Sequence, residues 1–221
     1  MDRYMDFISQ FAVSLDAIRG AAVDTTRYLN AHRHGDDVVK GEVAVINRYP
    51  GEVRPDDEYV CCGIHPWHVD DDWHEKLDIL RLEALKPNVV AVGECGLDKA
   101  VSRDLTQQIE AFRQQVLLAE QVGKPMVIHC VKAFDELLAI HKAMRPKQKW
   151  LIHGFRGKPE QAKQIMAKGL LLSFGHRYNI ESLRYVASAL GKLYIETDDS
   201  SLSIIQVYDQ IACHLSSGNL D

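Results

Sequence analysis

Residues 88–94 read NVVAVGE, a run of β-branched and small apolar residues between Pro87 and Glu94. Pro87 ends the helical pattern of residues 72–86, so the run predicts a strand with both faces covered. Four more apolar strand patterns follow: PMVIHC (125–130), KWLIHG (149–154), LLLSFG (170–175) and LYIET (193–197). Helical patterns separate or follow them at 102–122, 133–144, 159–168, 180–190 and 203–216. This alternation predicts an α/β fold with parallel strands and helical crossovers.

Three further strands are predicted upstream, at 27–32, 42–46 and 59–64. The total of eight is the strand count of a TIM-type (β/α)₈ barrel. The gaps among the first three strands are too short for full helices, so the predicted barrel is trimmed at its early βα units. Apolar residues from Phe7 to Ile18 recur at helical spacing, as in a helix that covers the exposed side; a frayed extension is the alternative. We therefore expect an N-terminal extension over 1–26, helical or disordered, and a single barrel domain over 27–221.

The composition describes an ordinary globular protein of 221 residues, 46% hydrophobic, with a net charge of −5. That charge gives no global basic field to attract nucleic acid. No apolar run approaches the length of a membrane span, and the five cysteines suggest a reducing, cytoplasmic setting. The adjacent Cys61 and Cys62 are expected to pack in a strand, with a functional thiol as the alternative.

Histidines and carboxylates gather at the ends of predicted strands. In a strand, His32 and His34 point to the same side, while Arg33 points away. Six such residues occur: His32, His34, Glu94, His129, His153 and Asp198. Each alone is more often a hydrogen-bonded structural residue, but the C-terminal strand ends of a barrel converge on one mouth. Together they match an imidazole-and-carboxylate binuclear metal site.

Six motifs recur here in the order found in a known family: NAHRH, GIHPW, AVGECGLD, KPMVIHC, LIHGF and YIETD, between about residues 28 and 200. The chain resembles the TatD-like metal-dependent hydrolases of the amidohydrolase superfamily, which are commonly described as deoxyribonucleases. The resemblance implies two divalent ions, Mg²⁺ or Mn²⁺ in activity, with Zn²⁺ or Ni²⁺ possible as bound. It implies that His32, His34, Glu94 and Asp198 hold one ion. His129 and His153 would hold the other and share Glu94 as a bridge.

The resemblance also implies catalytic and substrate-binding roles. Asp198 would accept a proton from the attacking water or orient that water, with a helix N-cap as the alternative role, and Glu94 would be the second catalytic carboxylate. Glu196 is either a partner of a ligand or an interior charge. The resemblance makes His65 a candidate for substrate binding, and the further candidates are Trp67, which adjoins it, and Lys132 and Arg156, which lie at departures from the family pattern. Trp67 either stacks on a base or packs under its loop, and His176 is a further strand-end candidate.

The residues that depart from the family pattern are candidate substrate contacts rather than candidate metal ligands. Lys99 and Ala100 follow GLD where an aromatic residue is usual, and Val131 replaces an arginine beside Lys132. Arg156 stands where a small hydroxyl residue is common, and the loop after ETD is short.

We expect a metal-dependent phosphodiesterase, most simply a DNA exonuclease. The alternatives are a hydrolase of a small ester, amide or lactone, and a catalytically idle metal-binding protein. Neither a membrane nor an obligate protein partner is expected, and a monomer is the simplest state.

Overall fold

The computed structural model describes residues 8–18 and 27–217. The strands in these residues are β1 (Ala12–Ser14), β2 (Tyr28–Arg33), β3 (Glu42–Arg48), β4 (Val60–Cys62), β5 (Val89–Asp98), β6 (Met126–Val131), β7 (Trp150–Ile152), β8 (Leu171–Phe174) and β9 (Lys192–Ile195). The α-helices are α1 (Leu15–Ile18), α2 (Trp73–Glu83), α3 (Leu105–Val122), α4 (Phe134–Met144), α5 (Pro159–Met166), α6 (Ile180–Leu190) and α7 (Ile204–Ser216). Short 3₁₀ helices cover Ile8–Phe11 and Pro66–His68. None of the helices in this part of the chain is long and apolar enough to cross a membrane.

These elements pack as two compact units. The central unit comprises residues 46–152, and the terminal unit comprises the described residues of 8–45 and 153–217. Each unit contains strands with helices between them, so the α/β alternation read from the sequence is present in both. The predicted single domain over 27–221 stays a prediction.

In the central unit, the end of β3 (residues 46–48), β4, β5, β6 and β7 pair in that order, each parallel to the next. All ten residues of β5 are buried; for residues 89–94 this confirms the predicted covered strand, and residues 95–98 extend it. The Asp104 side chain accepts a hydrogen bond from the Thr106 amide at the start of α3, and Gly123 ends that helix in the left-handed conformation. Helix α3 packs against β5 in this sheet.

In the terminal unit, β9 pairs with β8 in parallel and with β1 in antiparallel orientation. The end of β2 lies beside the residues that follow β9, where the Asp198 amide donates to the His32 carbonyl at 3.0 Å. The Tyr208 hydroxyl of α7 donates to the Leu29 carbonyl at 2.9 Å and holds β2 in place. This pairing brings the HRH segment and Asp198 together.

The upstream strands lie within two residues of their predicted bounds, and in the described residues no helix separates β2 from β3 or β3 from β4. Cys61 and Cys62 lie in β4 and are fully buried. The structure differs at the N-terminus, where β1 interrupts the predicted helix because its residues hydrogen-bond along the edge of β9. The remainder of the predicted extension, residues 1–7 and 19–26, lies outside the described residues.

Candidate metal-binding clusters

Three donor side chains converge in the central unit. The Glu94 Oε1 atom lies 3.1 Å from His65 Nε2 and 2.9 Å from His129 Nδ1. These three donor atoms lie within 4.8 Å of one another. Glu94 is 2% exposed and His65 is 4% exposed, so little water reaches the group. Two imidazoles and one carboxylate at this spacing form a donor set that suits a divalent transition metal.

Two glycines explain how β5 places Glu94 against β6. A Cβ atom on Gly93 would lie 2.2 Å from the Val127 carbonyl oxygen, and one on Gly96 would lie 2.0 Å from that of His129. Their φ angles are +140° and +143°, which L-residues with side chains rarely adopt. The GECG sequence therefore lets the two backbones approach closely and fixes the Glu94 side chain beside His129.

Asp98, at the end of β5, holds the other edge of His129. Its Oδ2 atom lies 3.1 Å from His129 Nε2 and accepts a hydrogen bond from Trp67 Nε1 at 2.7 Å. Burial alone would raise the pKa of Asp98, but the hydrogen bonds from Trp67, the Ala100 amide and His129 hold it below its usual value. Asp98 is therefore an anion that orients the imidazole, the arrangement that metal-binding histidines commonly have.

The terminal unit brings His32 and His34 to Asp198. Asp198 Oδ1 lies 3.8 Å from His32 Nε2 and 3.6 Å from His34 Nε2, so both imidazoles face one carboxylate, as strand alternation predicts. Arg33 points away and pairs with Glu42 at 3.0 Å. Asp198 adopts a left-handed φ of +55°, and its side chain is 23% exposed.

His153 and Glu196 lie in the same unit. His153 Nδ1 is 3.4 Å from Glu196 Oε1, and the rings of His32 and His153 are 4.5 Å apart. Burial alone would raise the pKa of Glu196, but His153, His32 and the Ser173 hydroxyl hold it below its usual value. His153, Glu196 and Asp198 each offer one donor atom within 4.8 Å of the other two.

All six sequence-predicted ligands therefore lie in clusters that could hold a cation. Glu94 and His129 lie in the central unit, and His32, His34, His153 and Asp198 lie in the terminal unit. His65, predicted to bind substrate, lies among the donor atoms of the central cluster. Asp98 was missed by the sequence reasoning; its position four residues after Glu94, on the same side of a strand, was the available signal.

The other predicted substrate-binding residues are accessible. Trp67 is 51% exposed although its indole nitrogen is held by Asp98. Lys132 is exposed at a left-handed φ of +54°, in the turn after β6. Arg156 is exposed and lines a recess with Asp198.

Comparison with known proteins agrees with this geometry. Residues 41–202 match the family model described as TatD related DNase. A 3′-5′ ssDNA/RNA exonuclease TatD from Erwinia tasmaniensis is 35% identical over 121 residues, 54% of this chain and 47% of that protein. An uncharacterized metal-dependent hydrolase from Haemophilus influenzae is 30% identical over 164 residues, 68% of this chain and 62% of that protein. The chain thus spans about half the length of the exonuclease.

Among solved structures, the TatD homologue YjjV from Escherichia coli K12 superimposes with a TM-score of 0.58. The superposition covers 72% of this chain and 73% of that one, at 21% sequence identity. At this identity the likeness shows the fold alone. The predicted α/β TIM-type fold is confirmed.

Proposed function

Because the chain belongs to the TatD-related DNase family, we propose that it is a metal-dependent hydrolase that cleaves phosphodiester bonds at the end of single-stranded nucleic acid. The observation that carries the proposal is the buried group of His65, Glu94 and His129, whose donor atoms lie within 4.8 Å of one another. A buried carboxylate between two imidazoles is costly to maintain unless a cation or protons balance it. Similarity to a 3′-5′ ssDNA/RNA exonuclease supports nucleic acid as the substrate class.

The donor chemistry fits two divalent ions. Each unit offers at least three nitrogen or oxygen donors in one cluster, and their mixture admits Mg²⁺, Mn²⁺, Zn²⁺ or Ni²⁺. The family resemblance adds Glu94 as a ligand shared by both ions, which stays a prediction. When bound, such ions acidify a water molecule and offset the negative charge that develops on a phosphodiester.

Asp198 and Glu196, the two carboxylates of the terminal-unit cluster, differ in exposure, and this difference indicates different roles. Asp198 is 23% exposed at its side chain, so a water molecule can reach it and lose a proton to it. Glu196 is fully buried and accepts a hydrogen bond from the Ser173 hydroxyl, so it holds His153 in place instead. We therefore assign proton acceptance to Asp198 and positioning to Glu196.

The substrate would be held by groups that remain accessible around the clusters. The exposed indole ring of Trp67, fixed at its nitrogen by Asp98, offers a flat surface for a nucleobase. Lys132 and Arg156 supply positive charge for the phosphates, and Arg156 adds a planar fork of donors. His65 would orient the substrate only if its imidazole does not bind a metal ion.

The first experiment follows shortening of a 5′-labelled and a 3′-labelled single-stranded DNA oligonucleotide with Mg²⁺, with Mn²⁺ and with chelator. The Glu94→Gln variant keeps the shape of the side chain but loses the charge between the imidazoles. We expect metal-dependent shortening in the wild type and at least about a hundredfold loss in the variant. The exposed Glu75→Gln substitution in α2 is the matched control and should cleave normally.

Undiminished cleavage by a folded Glu94→Gln variant would contradict the proposal. No cleavage of DNA or RNA by a wild-type protein that binds metal would also contradict it. A panel of small esters, amides and lactones would then identify the alternative hydrolase, and no turnover on any of them would indicate an idle metal-binding protein.

A further inference from the structure

A recess beside Asp198 in the terminal unit is bordered by three basic residues. Arg156 lies in the segment before α5, and His176 and Arg177 lie in the segment between β8 and α6. The recess is shallow, with an enclosed volume of about 10 Å³, and the buried Glu196 is one of its lining residues. A Cβ atom at Gly154 would lie 3.4 Å from Glu196 Oε1, so the absence of a side chain there keeps the recess open.

Two arginines and two carboxylates, Glu196 and Asp198, line this recess, and the arginines differ from the carboxylates in what they contact. Neither Arg156 nor Arg177 forms an ion pair or a hydrogen bond with any residue in 8–18 or 27–217, and both are exposed. By contrast, Arg33 and Arg48 each pair with a buried carboxylate of their own unit. The acids that border the recess are already engaged, because Asp198 faces two imidazoles and Glu196 faces His153 and Ser173.

Hydrogen bonds tie together the two segments that carry these arginines. The buried Ser182 hydroxyl, in the first turn of α6, donates to the Gly157 carbonyl at 2.7 Å. The Ser182 amide donates to Asn179 Oδ1 at 2.9 Å, which caps the same helix. On the other side, Gln210 Nε2 of α7 donates to the His176 carbonyl at 2.8 Å. The backbones beside Arg156 and Arg177 are therefore held in one arrangement before any anion binds, which lowers the entropy lost on binding.

We infer that Arg156 and Arg177 form a binding subsite for a substrate phosphate adjacent to the one that is cleaved. Two guanidinium groups offer planar, bidentate donors that match phosphate oxygens. This inference rests on the proposed function and narrows it. The preferred substrate is an oligonucleotide with at least one further charged linkage next to the scissile one, so a single phosphodiester or a neutral ester is a poor substrate.

The first test compares two tetrathymidylates in the presence of metal. One has only phosphodiester linkages, and the other has a neutral methylphosphonate at the linkage next to the terminal one. We expect the wild type to favour the fully charged substrate by roughly tenfold in kcat/KM. Arg177→Gln should bring this ratio close to one, and Arg113→Gln, an exposed arginine of α3, is the matched control that should keep it. A ratio that Arg177→Gln leaves unchanged would overturn the inference while the proposed function stands.

The second test measures binding without turnover. A fluorescein-labelled hexathymidylate with cleavage-resistant phosphorothioate linkages is titrated by anisotropy at several salt concentrations. Loss of one phosphate contact lowers the slope of log K against log salt by about 0.7 for a single strand. We expect this decrease for Arg156→Gln and for Arg177→Gln, but not for Arg113→Gln. Equal slopes in all four proteins would overturn the inference. A decreased slope in a protein that cleaves neither substrate would support the phosphate subsite and refute the proposed nuclease activity.

Discussion

Asp57 holds the helix-free connection between β3 and β4 through a buried ion pair. Its carboxylate accepts hydrogen bonds from Arg48 Nε at 3.1 Å, from Arg48 Nη2 at 2.6 Å and from the Arg54 amide at 2.9 Å. Arg48 is 6% exposed and Asp57 is 9% exposed. Asp57→Asn removes the negative charge and leaves a buried guanidinium without its counter-ion. We expect the free energy of unfolding to fall by about 3–5 kcal/mol.

A second arginine–aspartate pair in the same unit provides the control. Arg81 Nη1 lies 2.6 Å from Asp78 Oδ1, as close as the shortest contact of the buried pair. The side chains of Arg81 and Asp78 are 51% and 73% exposed, so water screens their attraction. Asp78→Asn should therefore cost no more than about 1 kcal/mol. Both pairs join an arginine to an aspartate at the same shortest distance, so the difference between the variants measures burial together with the additional hydrogen bonds of Asp57.

The deficit of Asp57→Asn should depend on pH. Burial tends to raise the pKa of Asp57, but the Arg48 side chain and the Arg54 amide and charge hold it below its usual value. A carboxyl whose pKa is depressed by folding contributes stability that is present above its unfolded pKa of about 3.9 and is lost as the pH falls through the folded value. The deficit should therefore be constant from pH 7 to pH 5 and should shrink below about pH 4.

The assay is urea unfolding of wild type, Asp57→Asn and Asp78→Asn at pH 7, pH 5 and pH 3.5. The slope of free energy against urea should be the same for all three proteins, because the surface exposed on unfolding does not change. A deficit below about 1 kcal/mol for Asp57→Asn at pH 7, or one that is as large at pH 3.5 as at pH 7, would refute the reasoning.

Two further substitutions test the central cluster. Gly93→Ala would place a Cβ atom 2.2 Å from the Val127 carbonyl oxygen, so β5 and β6 must separate. Urea titration should show that the free energy of unfolding falls by more than about 3 kcal/mol. In the control Gly123→Ala, no atom lies within 4 Å of the added Cβ, and the free energy of unfolding should fall by about 1–2 kcal/mol. Asp98→Asn should weaken Mn²⁺ binding in calorimetry by at least about tenfold because it loosens the anchor of His129. Unchanged affinity, equal to that of the exposed control Asp71→Asn, would show that Asp98 does not orient a ligand.

The strand ends that carry the candidate ligands were predictable because their apolar runs are long and both faces are covered. The end of β5 was not. The sequence pattern predicts that this strand ends at Glu94, because Gly93 and Gly96 are residues that commonly interrupt strands. In the structure, β5 continues to Asp98. The glycines are required by the close approach to β6, a tertiary contact that no local pattern contains.

Two other features lay beyond sequence reasoning for similar reasons. β1 has three residues, too few for an alternating pattern to be recognised among apolar residues at helical spacing. These residues are extended because they pair with the edge of β9, which is a tertiary contact. Arg156 and Arg177 are 21 positions apart in the sequence. They follow different strands, and tertiary hydrogen bonds such as the one from Ser182 of α6 to the Gly157 carbonyl hold their segments.

Several connections next to the candidate ligands are short in the described residues. Only Asp198–Ser203 separate Thr197 from α7, and no helix covers 34–41 or 49–59. Under the proposed function, substrate choice therefore rests on individual accessible groups such as the Trp67 ring, Arg156 and Arg177. The net charge of −5 repels polyanions at long range, so the proposed function requires that local cations and metal ions attract the substrate. Affinity for oligonucleotides should therefore fall steeply with salt, and each arginine should account for a measurable share of that slope.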